Sequence, residues 1–271
     1  GISVAQLGQG GVSARELRDA GFEASEISKA LGIPTDGQAA RAAGVSFEEF
    51  KASVVEDVET LAMWYQEEVA RFISKVGLKG TALTEMFSKL EKVDWQSKGL
   101  GDSDVGDLMS LFAVNALAKL KVMDLSNNEI AYKGAMALGK ALEVNVALTT
   151  LNLLKNDIGT DSATQLAAIL QSHTTLKTLC GILPDQTQAS FLSQGLGPAD
   201  GILIAADLMV NVALNTLSLI NNNIGDPGAV ALSKALEVNV ALTTLVLFDN
   251  KIADQGAVAL GKALEVNVAL N

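Results

Sequence analysis

Cysteine is almost absent from this chain: Cys180 stands alone in 271 residues. One thiol cannot close a bridge within the chain, so no disulfide framework holds the fold, and a reducing, intracellular setting is expected. Histidine is as scarce, with His173 alone, so no Cys/His cluster offers a zinc site and no metal or cofactor is expected. Aromatic residues make up 4% of the chain, so a core has to be built from Ala, Leu, Val and Gly in thin layers rather than around large rings. Positive charge is outweighed, 20 Lys and Arg against 31 Asp and Glu, for a net charge of −11. An acidic chain repels phosphate, which argues against nucleic acid as a partner. Nowhere do the roughly 18 consecutive apolar residues of a membrane span occur. The most apolar stretch, 201–214, is interrupted by Asp207 and Asn211.

What the chain has instead is repetition. Residues 141–148 read Ala-Leu-Glu-Val-Asn-Val-Ala-Leu and return letter for letter at 235–242 and 263–270. The starts of the last two copies, 235 and 263, define a period of 28, and the interval from 141 to 235 is three such periods and a remainder of 10. A fixed period of this size marks an array of stacked units, none of which survives alone. Aligned at Leu120, Leu148, Leu176, Gln186, Leu214 and Leu242, the units follow Leu-x-x-Leu-x-Leu-x-x-Asn-x-Ile. Leu148, Leu151, Leu153, Asn156 and Ile158 fill every slot, as do Leu242, Leu245, Leu247, Asn250 and Ile252. A helical pattern follows, as in Gly228, Ala229, Leu232, Ala235 and Leu236. The apolar period changes from 2 to about 3.6 inside each unit, so a unit is a short strand, a tight turn and a helix.

This pattern resembles the leucine-rich repeat family. The helix-bearing unit of period 28 is similar to the ribonuclease-inhibitor-type repeats, also found in NOD-like receptors and in the GTPase-activating protein for Ran. The resemblance implies an α/β solenoid, with a curved parallel sheet inside and helices outside, over residues 119–271. It also implies a surface for protein–protein interaction.

Within that frame Asn128, Asn156, Asn222 and Asn250 fall in one column. An amide there can bond backbone groups of its own turn and the next, so the column is expected to be a structural ladder. The array is broken once. At 176–184 Gly181 takes a Leu slot and Pro184 the Asn slot, and Gln186 restarts the frame early, with Ala189, Phe191, Gln194 and Leu196 in the motif positions. A short unit without a helix is expected there, making 176–198 the most irregular surface of the array.

The amino-terminal residues keep other rhythms. Over 1–45, Ile2, Val12, Phe22, Ile33 and Val45 recur at steps of 10, 10, 11 and 12, predicting short two-turn helices that cap the array or dock elsewhere; Ser13 and Glu16 have capping-box spacing. Over 46–118 an all-α bundle is expected. Phe47, Phe50, Val54, Val58, Leu61 and Tyr65 open an apolar face that runs on to Val76, Ser46 and Glu49 repeat the capping box, a second helix is predicted over 81–93, and a third begins near 103–107. The chain starts at Gly1 and stops at Asn271, at the opening of another unit, and is expected to be a piece of a longer or processed polypeptide.

Strand side chains alternate, so positions between the Leu slots face the concave side. One column there reads Ser126, Leu154, Ile182, Leu192, Ile220 and Phe248, five large apolar residues that predict an exposed hydrophobic stripe. Beside it lie Asn152, Cys180, Ser218 and Val246. Apolar anchors next to hydrogen-bonding neighbours suit a protein partner. The expected function is therefore a non-catalytic interaction module, a scaffold or accessory subunit of a larger assembly, in the cytoplasm or, with a processed amino terminus, an organelle. Two alternatives are a small-GTPase regulator resembling the Ran activator, which the neutral concave columns disfavour, and a structural spacer whose stripe packs on other helices. No enzyme is expected. His173 has no Ser, Cys or carboxylate in a motif relation and reads as a surface residue, and Cys180 lacks a base. Gly8-Gln-Gly10-Gly11 lacks the Lys-Ser/Thr of a phosphate loop. Residues 102–107 hold Asp102, Asp104 and Asp107, but Ala113 occupies the last ligand position of a calcium loop, so an acidic helix start is the better reading.

Overall fold

The structure is a computed structural model that describes residues 89–113 and 117–270, with the single positions Ile27 and Leu31. The readings over 1–45 and the apolar face and capping box of 46–77 lie outside these residues. Strand and helix alternate along the chain: β1 (Lys92–Asp94), α1 (Asp102–Ala113), β2 (Val122–Asp124), α2 (Tyr132–Leu142), β3 (Thr150–Asn152), α3 (Thr160–Ser172), β4 (Gln188–Ser190), α4 (Pro198–Val210), β5 (Thr216–Ser218), α5 (Gly225–Leu236), β6 (Thr244–Val246) and α6 (Asp254–Val266). This is an α/β leucine-rich solenoid of the expected kind. The strands form two parallel sheets, β1-β2-β3 and β4-β5-β6. Their register repeats the sequence alignment: Val122 opposes Thr150, and Gln188, Thr216 and Thr244 stand in one row.

The slots of the motif are the core. Leu120, Leu125, Leu148, Leu151, Leu153 and Leu217 are all 0% exposed. Three-residue strands cannot bury such side chains alone; each is covered by the neighbouring unit, at about 1.5–3 kcal/mol per side chain. Every strand ends in a turn whose second residue past the last Leu slot is left-handed, with φ of 54° at Asn127, 61° at Lys155, 57° at Asn221 and 55° at Asp249. Side chains rarely adopt that conformation. It persists here because the ladder fixes it, as Asn127 and Asn221 donate their N–H groups to the carbonyls of Leu154 and Phe248 in the next unit, both at 2.9 Å.

The array starts earlier than the boundary expected at 119. The helix predicted over 81–93 does not extend to its carboxy end, because β1 occupies Lys92–Asp94 and pairs with β2. Val93, Trp95 and Leu100 fill motif slots and are buried. This unit escaped the alignment because its step is longer than the regular period, Lys92 opposing Val122 where Val122 opposes Thr150, and because Lys98 stands in the Asn slot. The helix expected from 103–107 is α1, the helix of this unit.

At the break, Thr178 makes a parallel bridge to Thr150 and Cys180 an antiparallel one to Asn152. No helix follows before β4 opens the second sheet, so α4 packs directly between α3 and α5. That is the helix-less short unit the sequence predicts.

Candidate partner-binding face

Both sides of the array are held by side-chain ladders that leave one surface free. The expected asparagine column is the first. Asn222 Nδ2 donates to the carbonyls of Phe191, Leu219 and Ile220 at 2.8, 2.8 and 3.2 Å, and its Oδ1 accepts the N–H groups of Gln194 and Leu196 at 3.1 and 3.0 Å. Asn128 does the same toward Trp95, Lys98 and Leu100, and Asn156 and Asn250 donate across to Leu125 and Leu219. Each amide thus stitches two units together.

A second column sits where each helix returns to the next strand. Asn145, Asn211, Asn239 and Asn267 accept two N–H groups two and three residues ahead. Asn239 also reaches back to the carbonyls of Leu208 and Asn211 at 2.7 and 3.0 Å. His173 occupies this position in the unit of β3. Its Nδ1 accepts from Thr175 and Leu176 at 3.2 and 2.9 Å, so the proton resides on Nε2, 2.9 Å from the Leu142 carbonyl. His173 is therefore a ladder residue and not the surface histidine the sequence suggested. The repeated stretch 141–148 carries the signal for this column, since its central letter is Asn145.

The acidic run at 102–107 also serves the neighbouring unit. Asp102 Oδ1 accepts the N–H groups of Ala131 and Gly134, each at 2.8 Å, capping the start of α2. Asp226 caps α6 in the same way through Ala253 and Gly256 at 2.8 and 3.0 Å. Among the described residues no group of three or more His, Cys, Asp or Glu side chains could hold a metal ion.

The strand face that the ladders leave open divides in two. Phe248 is 75% exposed and Leu192 56%, with Ile220 between them in register and half-buried. Ser218 and Val246 flank this stripe, both half-buried. The other half of the expected stripe is corrected by the structure: Leu154 is 3% and Ile182 2% exposed, so neither can touch a partner. Asn152 is engaged within the fold, giving a hydrogen bond to Asp124 Oδ2 at 3.1 Å and accepting one from the Leu154 N–H at 3.2 Å. An open hollow of about 410 Å³ lies over the first sheet and the break, lined among others by Asp94, Asp124, Asn152, Gly181 and Phe191.

A family model described as Leucine Rich repeat matches residues 116–139, 210–233 and 238–261. These matches fall on units whose strands and amide ladders have just been described. These stretches are leucine-rich repeats. Among 53 matching solved chains is the crystal structure of an internalin from Listeria monocytogenes, to which this chain is similar at 20% identity and a TM-score of 0.32. The match covers 68% of the chain and 49% of the internalin, so the chain spans about half of that protein's length. Comparison with curated proteins gives no match.

Leu154 and Ile182, both buried, stand beside the break in the leucine-rich frame. With Pro184 in the Asn slot, no amide is available there, and two carboxylates of α4 take over. Asp200 Oδ1 accepts the Lys155 N–H at 2.7 Å, which draws the turn after Leu154 against α4. Asp207 is fully buried and accepts from the Leu179 N–H at 2.7 Å, the Cys180 thiol at 2.6 Å, the Cys180 N–H at 3.3 Å and the Thr178 hydroxyl. Burial raises the pKa of Asp200, and it raises that of Asp207 from 3.8 to about 6 even though its four donors pull the other way. Burial, and then the nearby Asp207 charge, push the Cys180 thiol well above its ordinary value, so it stays protonated and unreactive. Sequence reading missed both carboxylates. Asp207 showed only as an acid interrupting an apolar run, which is the signal a buried partnered acid leaves.

Proposed function

We propose that this protein is a non-catalytic interaction module that seats a protein partner on the strand face of β4, β5 and β6. Leu192, Ile220 and Phe248 are the anchors, with Ser218 and Val246 beside them. The observation that carries this reading is the stripe itself: large apolar side chains on three successive units at one register position, with Leu192 and Phe248 standing in solvent where a monomer gains nothing from them. A scaffold or accessory role in a larger assembly goes with a surface that binds and does no chemistry. The single protonated thiol of Cys180 accords with a reducing, cytoplasmic or organellar setting.

The test is Ile220→Asp combined with Phe248→Asp, with Val240→Asp, an exposed change elsewhere, as control. The wild type and the control should recover the same partner from the native source, and the double variant should not, while all three melt alike. Capture undiminished in the double variant would overturn the reading.

A further inference from the structure

The hollow of about 410 Å³ lies where the strand face is interrupted between β3 and β4. Its size falls among small-ligand sites, about 300–1,000 Å³, and the stripe of anchors does not use it. Two independent observations inside it point to a ligand. The first is a pair of carboxylates. Asp94 and Asp124 are register partners on adjacent parallel strands, which run about 4.7–4.9 Å apart, and both line the hollow. Asp124 accepts from the Ser126 N–H and hydroxyl at 2.9 and 2.6 Å and from the Asn152 amide at 3.1 Å. Asp94 is exposed and, among the described residues, accepts from Gln96 of its own turn alone, at 3.3 Å twice. No donor bridges the two, and the nearby ion pair joins Lys121 to Glu91 instead. Lys92 lines the hollow as well, but the two carboxylates outnumber it. The second observation is Thr150. It is 8% exposed and lines the same hollow, yet its hydroxyl meets no partner among the described residues. Its register neighbour Thr178 places the corresponding hydroxyl on Asp207. A buried hydroxyl left without a partner carries a cost that a polar ligand group removes.

We propose that this hollow seats an arginine side chain of the protein partner, its guanidinium spanning Asp94 and Asp124, with the Thr150 hydroxyl as a further acceptor. A guanidinium is planar, stays charged and carries five donors in a fork that matches carboxylates. A lysine ammonium is a compact point charge and spans two acceptors less well. Phe191 and Leu183 line the same hollow and offer apolar surface to the stem of the arginine, as such stems require. Phe191 directly precedes Leu192, the first anchor of the stripe, so a protein seated on the stripe extends over the hollow. The net charge of −11 steers a basic surface toward it. The inference rests on the strand face being the partner's seat, and adds what the partner carries there.

The test needs no partner. The full chain is titrated with Nα-acetyl-arginine amide while the backbone amide signals of Thr150, Asn152 and Gly181 are followed by NMR. The corresponding lysine and norleucine amides serve as comparisons. The arginine probe should shift the three signals saturably, more tightly than the lysine probe, and the norleucine probe should not shift them. Added salt should weaken the binding. Asp94→Asn changes an exposed side chain and should bind the arginine probe about tenfold more weakly. No saturable shift, an equal response to the lysine or norleucine probe, or unchanged binding in Asp94→Asn overturns the proposal. The chain carrying Ile220→Asp and Phe248→Asp should bind the probe as the wild type does. Loss of partner capture in that pair, with no probe binding in either chain, would keep the stripe and remove the hollow. Probe binding with capture intact in the pair would do the reverse.

Discussion

Replacing Asp207 by Asn should abolish a pH dependence of stability that the wild type carries between 3.8 and about 6. Burial dominates at this carboxylate, and four donors surround it without a cation in contact among the described residues. Its folded-state pKa lies above its unfolded value, so in that window the folded chain holds a proton the unfolded chain has released. The stabilisation from this group is therefore complete below pH 3.8 and is lost as the pH rises through about 6. At about 1.36 kcal/mol per pH unit the loss amounts to about 3 kcal/mol. An Asn at this position is neutral throughout. Its carbonyl can serve Leu179, but its amide cannot accept from Thr178 and Cys180, which costs about 1–3 kcal/mol at every pH. Denaturant unfolding of both chains at pH values from about 4 to 7 isolates the effect, because all other titrations are shared. The advantage of the wild type should shrink by about 2 kcal/mol across that range. An advantage that stays constant would show that the carboxylate does not titrate as its burial requires.

Three further substitutions probe the ladders and the helix layer. Asn222→Ala removes five hydrogen bonds between and within units and should cost about 1–3 kcal/mol in chemical denaturation. His173→Asn should leave the melting temperature nearly unchanged, since Asn does the same work in other units, whereas His173→Ala should lower it measurably. Gly228→Ala would put a Cβ 2.5 Å from Ile224 Cγ2 and 3.3 Å from Gly201 Cα. It should destabilise by about 1–3 kcal/mol, while Gly106→Ala, whose Cβ meets nothing within 4 Å, should be neutral or slightly stabilising in a thermal melt.

Most of the solenoid was legible because its period is written in the letters. Leu151, Leu217 and Leu245 sit on strands where their slots predicted, and Asn222 forms the expected ladder. The legible part ended where chemistry was preserved and letters were not. The β1 unit was hidden by Lys98, whose backbone is served by Asn128 so that its own side chain need not be an amide. His173 does the work of an asparagine through a different ring of atoms. Half of the apolar stripe was misread because alternation assigns Leu154 and Ile182 to a face but does not say that they are buried beside the break. The break itself is held by Asp200 and Asp207, which lie 45 and 27 residues from the backbone groups they serve. No local pattern announces a bond of that reach.

The two amide columns, the left-handed turn residue and the Leu slots all recur at the same interval, and in the regular stretch their bonds reach only the adjoining unit. Residues 214–241 are for that reason an exchangeable cassette. Excising them would bring Asn250 to where Asn222 now stands, facing Phe191 and Gln194, and Gly256 to the place of Gly228 against Gly201. Array length is then a quantity that gene duplication or deletion can alter in steps of one turn, without any new contact having to be invented.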